Sequence, residues 1–218
     1  MKPILFNTEM TRAVRSDQKI STRRLLKPQP DYFYNRVFGE PRPIGKEGYS
    51  AKMPDRSERM FKPTYQPGDI LYVREAWSMA SDILGGDPGP VYAADYSDKE
   101  LAELKAKHFR WRPSIHMPKE IARTFLRVTD VRVEHLQDIT DAKAKAEGIR
   151  GFWTGMGESG YAVSADSRTF FDGPIGAFAS LWNSTIKPAE LADYGWNANP
   201  WVWVYYFERI SKEEATTN

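Results

Sequence analysis

Residues 122–136, ARTFLRVTDVRVEHL, carry the strongest strand signal in the chain. Val, Thr and Phe dominate the stretch, and an acidic break at Asp130 predicts a bend within it. The next segment is helical. In 138–149, DITDAKAKAEGI, Thr140 is placed to cap a helix and Gly148 to stop it. The closing segment 199–210, NPWVWVYYFERI, is a second long strand. Trp201 and Trp203 share one of its faces and Val202 and Val204 the other, so burial on both faces is expected, with the tryptophans in the core. Between them, 175–186 reads as an amphipathic helix with Ile175, Phe178, Leu181 and Trp182 on its apolar side.

Toward the N-terminus, 65–77, YQPGDILYVREAW, places a Pro-Gly turn before a strand built on Ile70, Leu71 and Val73. A turn at 85–90, a short strand at 91–96 and a helix at 97–108 come next. In 7–19, NTEMTRAVRSDQK, Asn7 or Thr8 can cap a helix whose apolar face is Met10, Ala13 and Val14. Residues 27–67 show no clean periodicity and form a long ordered excursion, because Tyr32, Phe33, Tyr34, Phe38 and Phe61 need burial. Residues 150–174 are rich in Gly and Ser and read as a loop insertion. The tail 211–218 is expected to fray. Strands separated by turns rather than by regular crossover helices predict an α+β fold: one domain over 1–210, a small mixed β-barrel with flanking helices.

Composition narrows the function classes. Hydrophobic content of 41% is ordinary for a soluble globular chain, and no run approaches a membrane span. The apolar core of 1–10 is too short for a signal peptide, and cysteine is absent. Disulfides, thiolate nucleophiles and zinc-thiolate sites are thereby excluded, and a cytoplasmic protein is the simplest expectation. Formal net charge is +2, yet 1–62 hold 14 Lys/Arg against 7 Asp/Glu. Such asymmetry fits either a basic face for a phosphate-bearing partner or uneven surface charge. His108, His116 and His135 lie on different elements without metal-ligand spacing, so neither metal nor cofactor is expected; His108 and His135 read as surface residues.

Two stretches could carry chemistry. In 17–24, DQKISTRR, a lysine precedes Thr22 and two arginines; strand alternation would put Thr22 and Arg24 on one side and Arg23 on the other. A lysine becomes a base only when desolvation or cationic neighbours lower its pKa, and a plain basic edge is the alternative. In 110–120, RWRPSIHMPKE, two prolines stiffen the backbone around Arg112, Ser114 and His116, which suits a mounted binding site or an ordinary connector. Glu75, beside Arg74, is a candidate acid or half of an Arg-Glu pair. Trp77 is a candidate stacking platform or a core tryptophan.

Four segments in this order resemble the ASCH family, whose fold is related to the PUA domain: DQKISTRR, YQPGDILYVREAW, LQDITDAKAKAEGI and NPWVWVYYFERI. The first is similar to the family's G-x-K-x-x-T-x-R element, with Asp17 where glycine is usual. The arrangement, with RPSIHMP, also looks like a larger phage-associated branch. The insertions at 27–67 and 150–174 have no counterpart in small members. One ASCH member is an amidohydrolase acting on acetylcytidine nucleosides. The resemblance implies Lys19, Thr22 and Glu147 as the catalytic set, with Arg23, Arg24, Arg74, Glu75, Trp77, Arg112, Ser114 and His116 as candidates for binding. The implied partner is a modified nucleoside, or RNA or DNA bound without catalysis; ribonuclease activity and a phage accessory role are the weaker alternatives. Glu147 has a local signal of its own, because a carboxylate at a helix C-terminus is unfavourable against the helix dipole.

Overall fold

A computed structural model describes residues 1–30, 41–44, 48–81, 89–153, 159–163 and 169–217. Its centre is an open five-stranded mixed sheet, in the order β1 (Lys2–Leu5), β6 (Ile70–Arg74), β9 (Phe125–His135), β12 (Trp201–Ile210), β2 (Ser21–Leu25). The first pair is parallel and the rest are antiparallel. The α+β class is correct. The closed barrel is not: β1 and β2 are edge strands, and no ladder joins them. The edges nevertheless approach, because the Arg24 guanidinium of β2 donates to the Leu5 carbonyl of β1 at 2.8 Å. A side chain spans the seam that a ladder would close in a barrel.

The helix α1 (Thr8–Arg15) connects these two edges. Asn7 caps it, its side chain accepting from the Met10 N–H, and Ala13 and Val14 bury its inner face. The two long strands form where expected. In β9 the pairing shifts opposite Tyr206 and Phe207, which face Asp130 and Val128. The extra residue, Thr129, is a β-bulge at the bend. β12 is the axis of the fold. Trp201, Trp203, Tyr205 and Phe207 enter one core with Ile4, Phe6, Leu71 and Leu126. Val202 and Val204 enter a second with Leu136, Ala144, Phe178 and Trp182. That second core is roofed by α3 (Asp141–Ala146) and α4 (Pro174–Thr185), numbered after α2 (Asp98–Ala106).

Several elements depart from expectation. Within the ordered excursion expected over 27–67, the described residues of 42–61 include strands that the sequence pattern did not show. They form a three-stranded meander, β3 (Arg42–Ile44), β4 (Gly48–Lys52) and β5 (Glu58–Phe61), that packs Ala51 and Phe61 onto the first core. Within 150–174, β10 (Arg150–Trp153) and β11 (Ser159–Ala162) pair as an antiparallel ribbon. The strand at 91–96 is shorter, β8 (Pro90–Tyr92), paired with β7 (Trp77–Met79). The anticipated burial of Tyr32, Phe33, Tyr34 and Phe38, and most of the turn at 85–90, lie outside the described residues. No described helix is long and apolar enough to cross a membrane.

Within the tail, Lys212–Thr217 are helical. After the four-residue α5 (Leu191–Tyr194), α6 (Lys212–Thr217) buries Ala215 in a third core with Tyr72, Trp77, Met117 and Phe125. Its first turn is capped by Ser211, whose hydroxyl accepts from the Glu214 N–H. Replacing Ala215 by Asp should therefore lower stability by about 1–3 kcal/mol, the cost of an unpaired polar group in a core. Urea unfolding followed by tryptophan fluorescence checks this; an unchanged midpoint would restore the frayed tail.

Candidate active site

The junction of α1 and β2 is built by backbone geometry before any side chain acts. Past α1 the chain turns through Asp17, whose φ is +57°, and the N–H groups of Gln18 and Lys19 both donate to the Ala13 carbonyl. An L-residue in this left-handed conformation costs about 1–2 kcal/mol, which glycine avoids. Asp17 is one of the residues that tolerates it, and its carboxylate accepts from Arg209 Nε at 2.8 Å and Nη2 at 2.6 Å. Those bonds, before the Arg209 charge, hold its pKa below the usual carboxylate value.

From the other side comes the end of α3. Thr140 caps its start, and Glu147 is its C-cap, followed by Gly148 with φ of +103°. A Cβ at 148 would meet Ala13 Cβ at 3.1 Å and Lys19 Cβ at 3.5 Å. Glycine is required here twice, for its backbone and for the close approach. The Ile20 N–H donates to the Ala146 carbonyl, and a lone β-bridge joins Lys19 to Glu147.

Residues 128 apart thus come into contact. Lys19 Nζ donates to Glu147 Oε2 at 2.6 Å and to the Glu147 carbonyl at 3.0 Å, and the lysine side chain is 0% exposed. The other carboxylate oxygen, Oε1, accepts from Arg23 Nη1 at 2.9 Å. Arg23 Nη2 reaches Glu134 Oε2 at 3.3 Å, and Lys143 Nζ donates to both oxygens of Glu134 at 2.9 Å. The result is a chain of alternating charge, Lys143–Glu134–Arg23–Glu147–Lys19. Burial, foremost, pushes the Lys19 pKa below lysine's ordinary value; Arg24 and Arg23 act in the same direction, and Glu147 opposes them. Glu134 and Lys143 were not anticipated, since nothing local in VRVEHL or DAKAKA marks a partner for Arg23.

Thr22 is 3% exposed and, among the described residues, its hydroxyl has no hydrogen-bond partner. It lines a cavity of about 50 Å³ together with Glu147, Arg23 and Arg24, under Phe178 and Trp182 of α4. Three successive residues of one strand touch this cavity, as fits a space along a free edge. Its volume holds a few waters or an acyl group, not a whole nucleoside. Lys19 itself sits behind Glu147 and does not line it. Arg24 also lines a larger groove of about 420 Å³ with Lys27, Lys62, Tyr65, Trp203 and Tyr205, in which no carboxylate takes part. Burial, foremost, pushes the Tyr205 hydroxyl up to about 12.

The other candidates lie elsewhere. Glu75 is not paired with its neighbour Arg74. It is 1% exposed and held by Arg123, Nε to Oε1 at 2.9 Å and Nη2 to Oε2 at 3.0 Å. Arg74 donates to the Ile115 carbonyl at 3.2 Å. Trp77 is not an open stacking platform, because its ring is 7% exposed in the third core and Arg112 covers it at 4.9 Å. Ser114 and His116 form one 3-10 turn, and neither lines the Lys19 and Thr22 region. His135 is buried rather than at the surface: it lies opposite Trp201 in the sheet, ring centroids 3.6 Å apart, with Nδ1 3.0 Å from the Asn199 carbonyl. His108 is exposed. Among the described residues no group of three His, Asp or Glu is placed to hold a metal ion. Compared with protein-family models, with curated proteins and with solved structures, the chain matches none.

The geometry orders the stability effects. Glu147→Gln removes the anion between two buried cations and should cost about 3–5 kcal/mol, as for other broken buried pairs. Lys19→Met leaves Glu147 with Arg23 and should cost clearly less. Gly148→Ala should cost about 1–2 kcal/mol or more from the left-handed backbone alone. Urea denaturation of the three variants checks the order; equal losses for Glu147→Gln and Lys19→Met would mean that Arg23 does not hold the carboxylate.

Proposed function

We propose that the chain is a nucleobase- or nucleic-acid-directed protein of the ASCH, PUA-like type, acting as an amidohydrolase that removes an N-acyl group from a modified pyrimidine nucleoside. The observation that carries this reading is the desolvated Lys19 amine engaged by Glu147, which itself lines an acyl-sized cavity together with Thr22, whose hydroxyl serves no structural bond. A neutral lysine amine has two N–H donors and one lone pair. Glu147 takes both donors, one on its carboxylate and one on its carbonyl, which leaves the lone pair as a proton acceptor. A charged lysine would instead carry a third N–H.

The reaction is built from these roles. Water, or the Thr22 hydroxyl, attacks the amide carbonyl carbon while the Lys19 lone pair takes its proton, directly or through a cavity water. Because Lys19 lies behind the lining, the transfer needs a rotation of its amine or that intervening water. Arg23 and Arg24 lie where negative charge develops on the carbonyl oxygen. Collapse of the tetrahedral intermediate breaks the C–N bond, and the proton goes from Lys19 to the departing amino group of the base. With water as nucleophile the products are a carboxylic acid and a free amino-pyrimidine. With Thr22 as nucleophile an ester forms first, and water then hydrolyses it. Glu147, whose carboxylate accepts from the Arg23 guanidinium and the Lys19 amine, serves to orient Lys19.

Incubation with N4-acetylcytidine, followed by chromatography, tests the reading. Thr22→Val preserves shape and breaks no structural hydrogen bond, so it should fold normally and lose at least about tenfold in kcat/KM, the lower range for such a group. Lys19→Met should abolish turnover. No hydrolysis of acylated cytidines by the folded wild-type chain would sink the enzyme reading. The pH profile has a defined sign. Lys19 must be neutral, and burial puts its pKa below the ordinary 10.5. Hence kcat/KM should rise with pH along one ionisation below that value and then level off, and Lys19→Met should erase the step.

One observation favours a second reading, recognition of RNA or modified DNA without catalysis. The groove shared by Arg24 carries Lys27 and Lys62, which make no ion pair among the described residues, beside Tyr65 and Tyr205. Unpaired cations along a strand edge fit a phosphodiester backbone. Binding of short RNA and DNA oligonucleotides should weaken steeply with salt. Lys27→Gln with Lys62→Gln should flatten the log–log salt slope by about two, near one for each phosphate no longer neutralised. An unchanged slope removes these lysines from any interface.

A further inference from the structure

A third cavity lies away from both the Thr22 space and the Lys27 groove. It measures about 580 Å³, within the range of sites for small organic ligands. Its walls include Leu101 of α2 and the aromatic rings of Phe109 and Trp111. Lys105, His108 and Arg110 also line it, and no Asp or Glu does.

Its origin is visible in how α2 is attached. The helix is closed at its start by a capping box, Ser97 with Glu100, and tied to α1 by Arg12, which donates to Asp98 Oδ1 at 2.7 Å and to the Tyr96 carbonyl. Beyond that anchor no residue of α2 is buried; Leu101 and Leu104 are only half-covered. The helix stands off the core, and the space under it is the cavity. The chain then turns through His108 in the left-handed region, φ +60°, which brings Phe109 and Trp111 to the wall. Trp111 is fixed by edge-on contacts with Tyr96 at 5.3 Å and Phe109 at 5.1 Å, and its buried indole N–H has no hydrogen-bond partner.

Charge is the second observation. Arg12, Arg15, Arg23, Arg123, Arg127, Arg132 and Arg209 all have carboxylate partners. Lys105, His108 and Arg110, which share this one cavity, make no ion pair or side-chain hydrogen bond among the described residues. Apolar and aromatic walls and two cations without counter-charges, Lys105 and Arg110, complement one kind of ligand. We infer that this cavity binds a small organic anion with a flat apolar body, its ring against Phe109 and Trp111 and its anionic group among Lys105, His108 and Arg110. The site does not depend on the amidohydrolase reading, because it shares no lining residue with the Thr22 cavity.

Isothermal titration of the full chain with 2-naphthoate, neutral 2-naphthamide and inorganic phosphate tests both halves of the recognition. Naphthoate should bind saturably at one site, at least tenfold tighter than either other probe. The double variant Lys105→Gln, Arg110→Gln changes exposed side chains only and should weaken naphthoate at least tenfold without altering the unfolding midpoint. Leu101→Trp, which fills the space from a half-exposed position, should abolish binding. Lys19→Met should leave it unchanged. Equal binding of naphthamide would reduce the cavity to an apolar cleft, and equal binding of phosphate would reduce it to a cationic patch. Either result overturns the inference, as does the absence of saturable naphthoate binding or binding unchanged in Leu101→Trp.

Discussion

The carboxylate of Glu147, held between Lys19 and Arg23, is the interaction on which the site and much of the fold depend. It fastens the end of α3 to the edge strand β2, and with it the second core to the first. Electrostatics alone gives little reason for it. Desolvating each ion costs several kcal/mol, and Coulomb attraction at short range returns about as much, so well-packed apolar residues would serve stability equally well. The arrangement instead specifies position. Both carboxylate oxygens and the Glu147 carbonyl are used, and Glu134 with Lys143 fixes the far end of Arg23. The Lys19 amine is thereby held in one orientation, by the Glu147 carboxylate and carbonyl together.

The open sheet has its cause at the same junction. β2 is sequence-adjacent to α1 and spatially adjacent to β12, yet its other edge receives no strand because α1 and the end of α3 occupy the approach. Edge strands expose unpaired backbone groups and need protection. Here the protection comes from Arg24 reaching Leu5 across the seam and from α4 over the small cavity. The arrangement that leaves the barrel unclosed also supplies a recess beside Thr22.

How much of this was legible depended on whether the signal was local. β9 and β12 could be read because each is a long run of branched and aromatic residues, and the alternation in WVWV located both cores. The caps Asn7 and Thr140 and the stop at Gly148 were equally local. β1 went unread because KPIL is four residues long and its parallel partner β6 lies some 70 residues away. The 42–61 meander was hidden by strands of three to five residues with exposed faces. Trp77 and Glu75 show a different limit. A tryptophan or an acid at a strand end suits a ligand or a core equally well, and Arg112 and Arg123, 35 and 48 positions away, decide between them. Lys19 and Glu147 were joined in advance only through the family resemblance; no spacing in the chain itself couples them.

Asp17 occupies a backbone position that glycine would fill with less strain. The backbone turn after α1 requires a left-handed residue, and the physical demand is conformational rather than chemical. Aspartate accepts that conformation at a modest cost and gains what glycine lacks, a carboxylate that draws Arg209 from the end of β12. The turn that aims Lys19 is thereby tied to the central strand through an exposed ion pair, in addition to the Ala13 carbonyl. Exposed pairs contribute little energy, about 0–1 kcal/mol, so this one offsets only part of the backbone cost. Its effect is directional: the anion neutralises Arg209 at a distance from Lys19 and leaves Arg23 and Arg24 as the nearer influences. Neither Asp17 nor Arg209 enters the electrostatic balance that keeps the buried amine below its ordinary pKa.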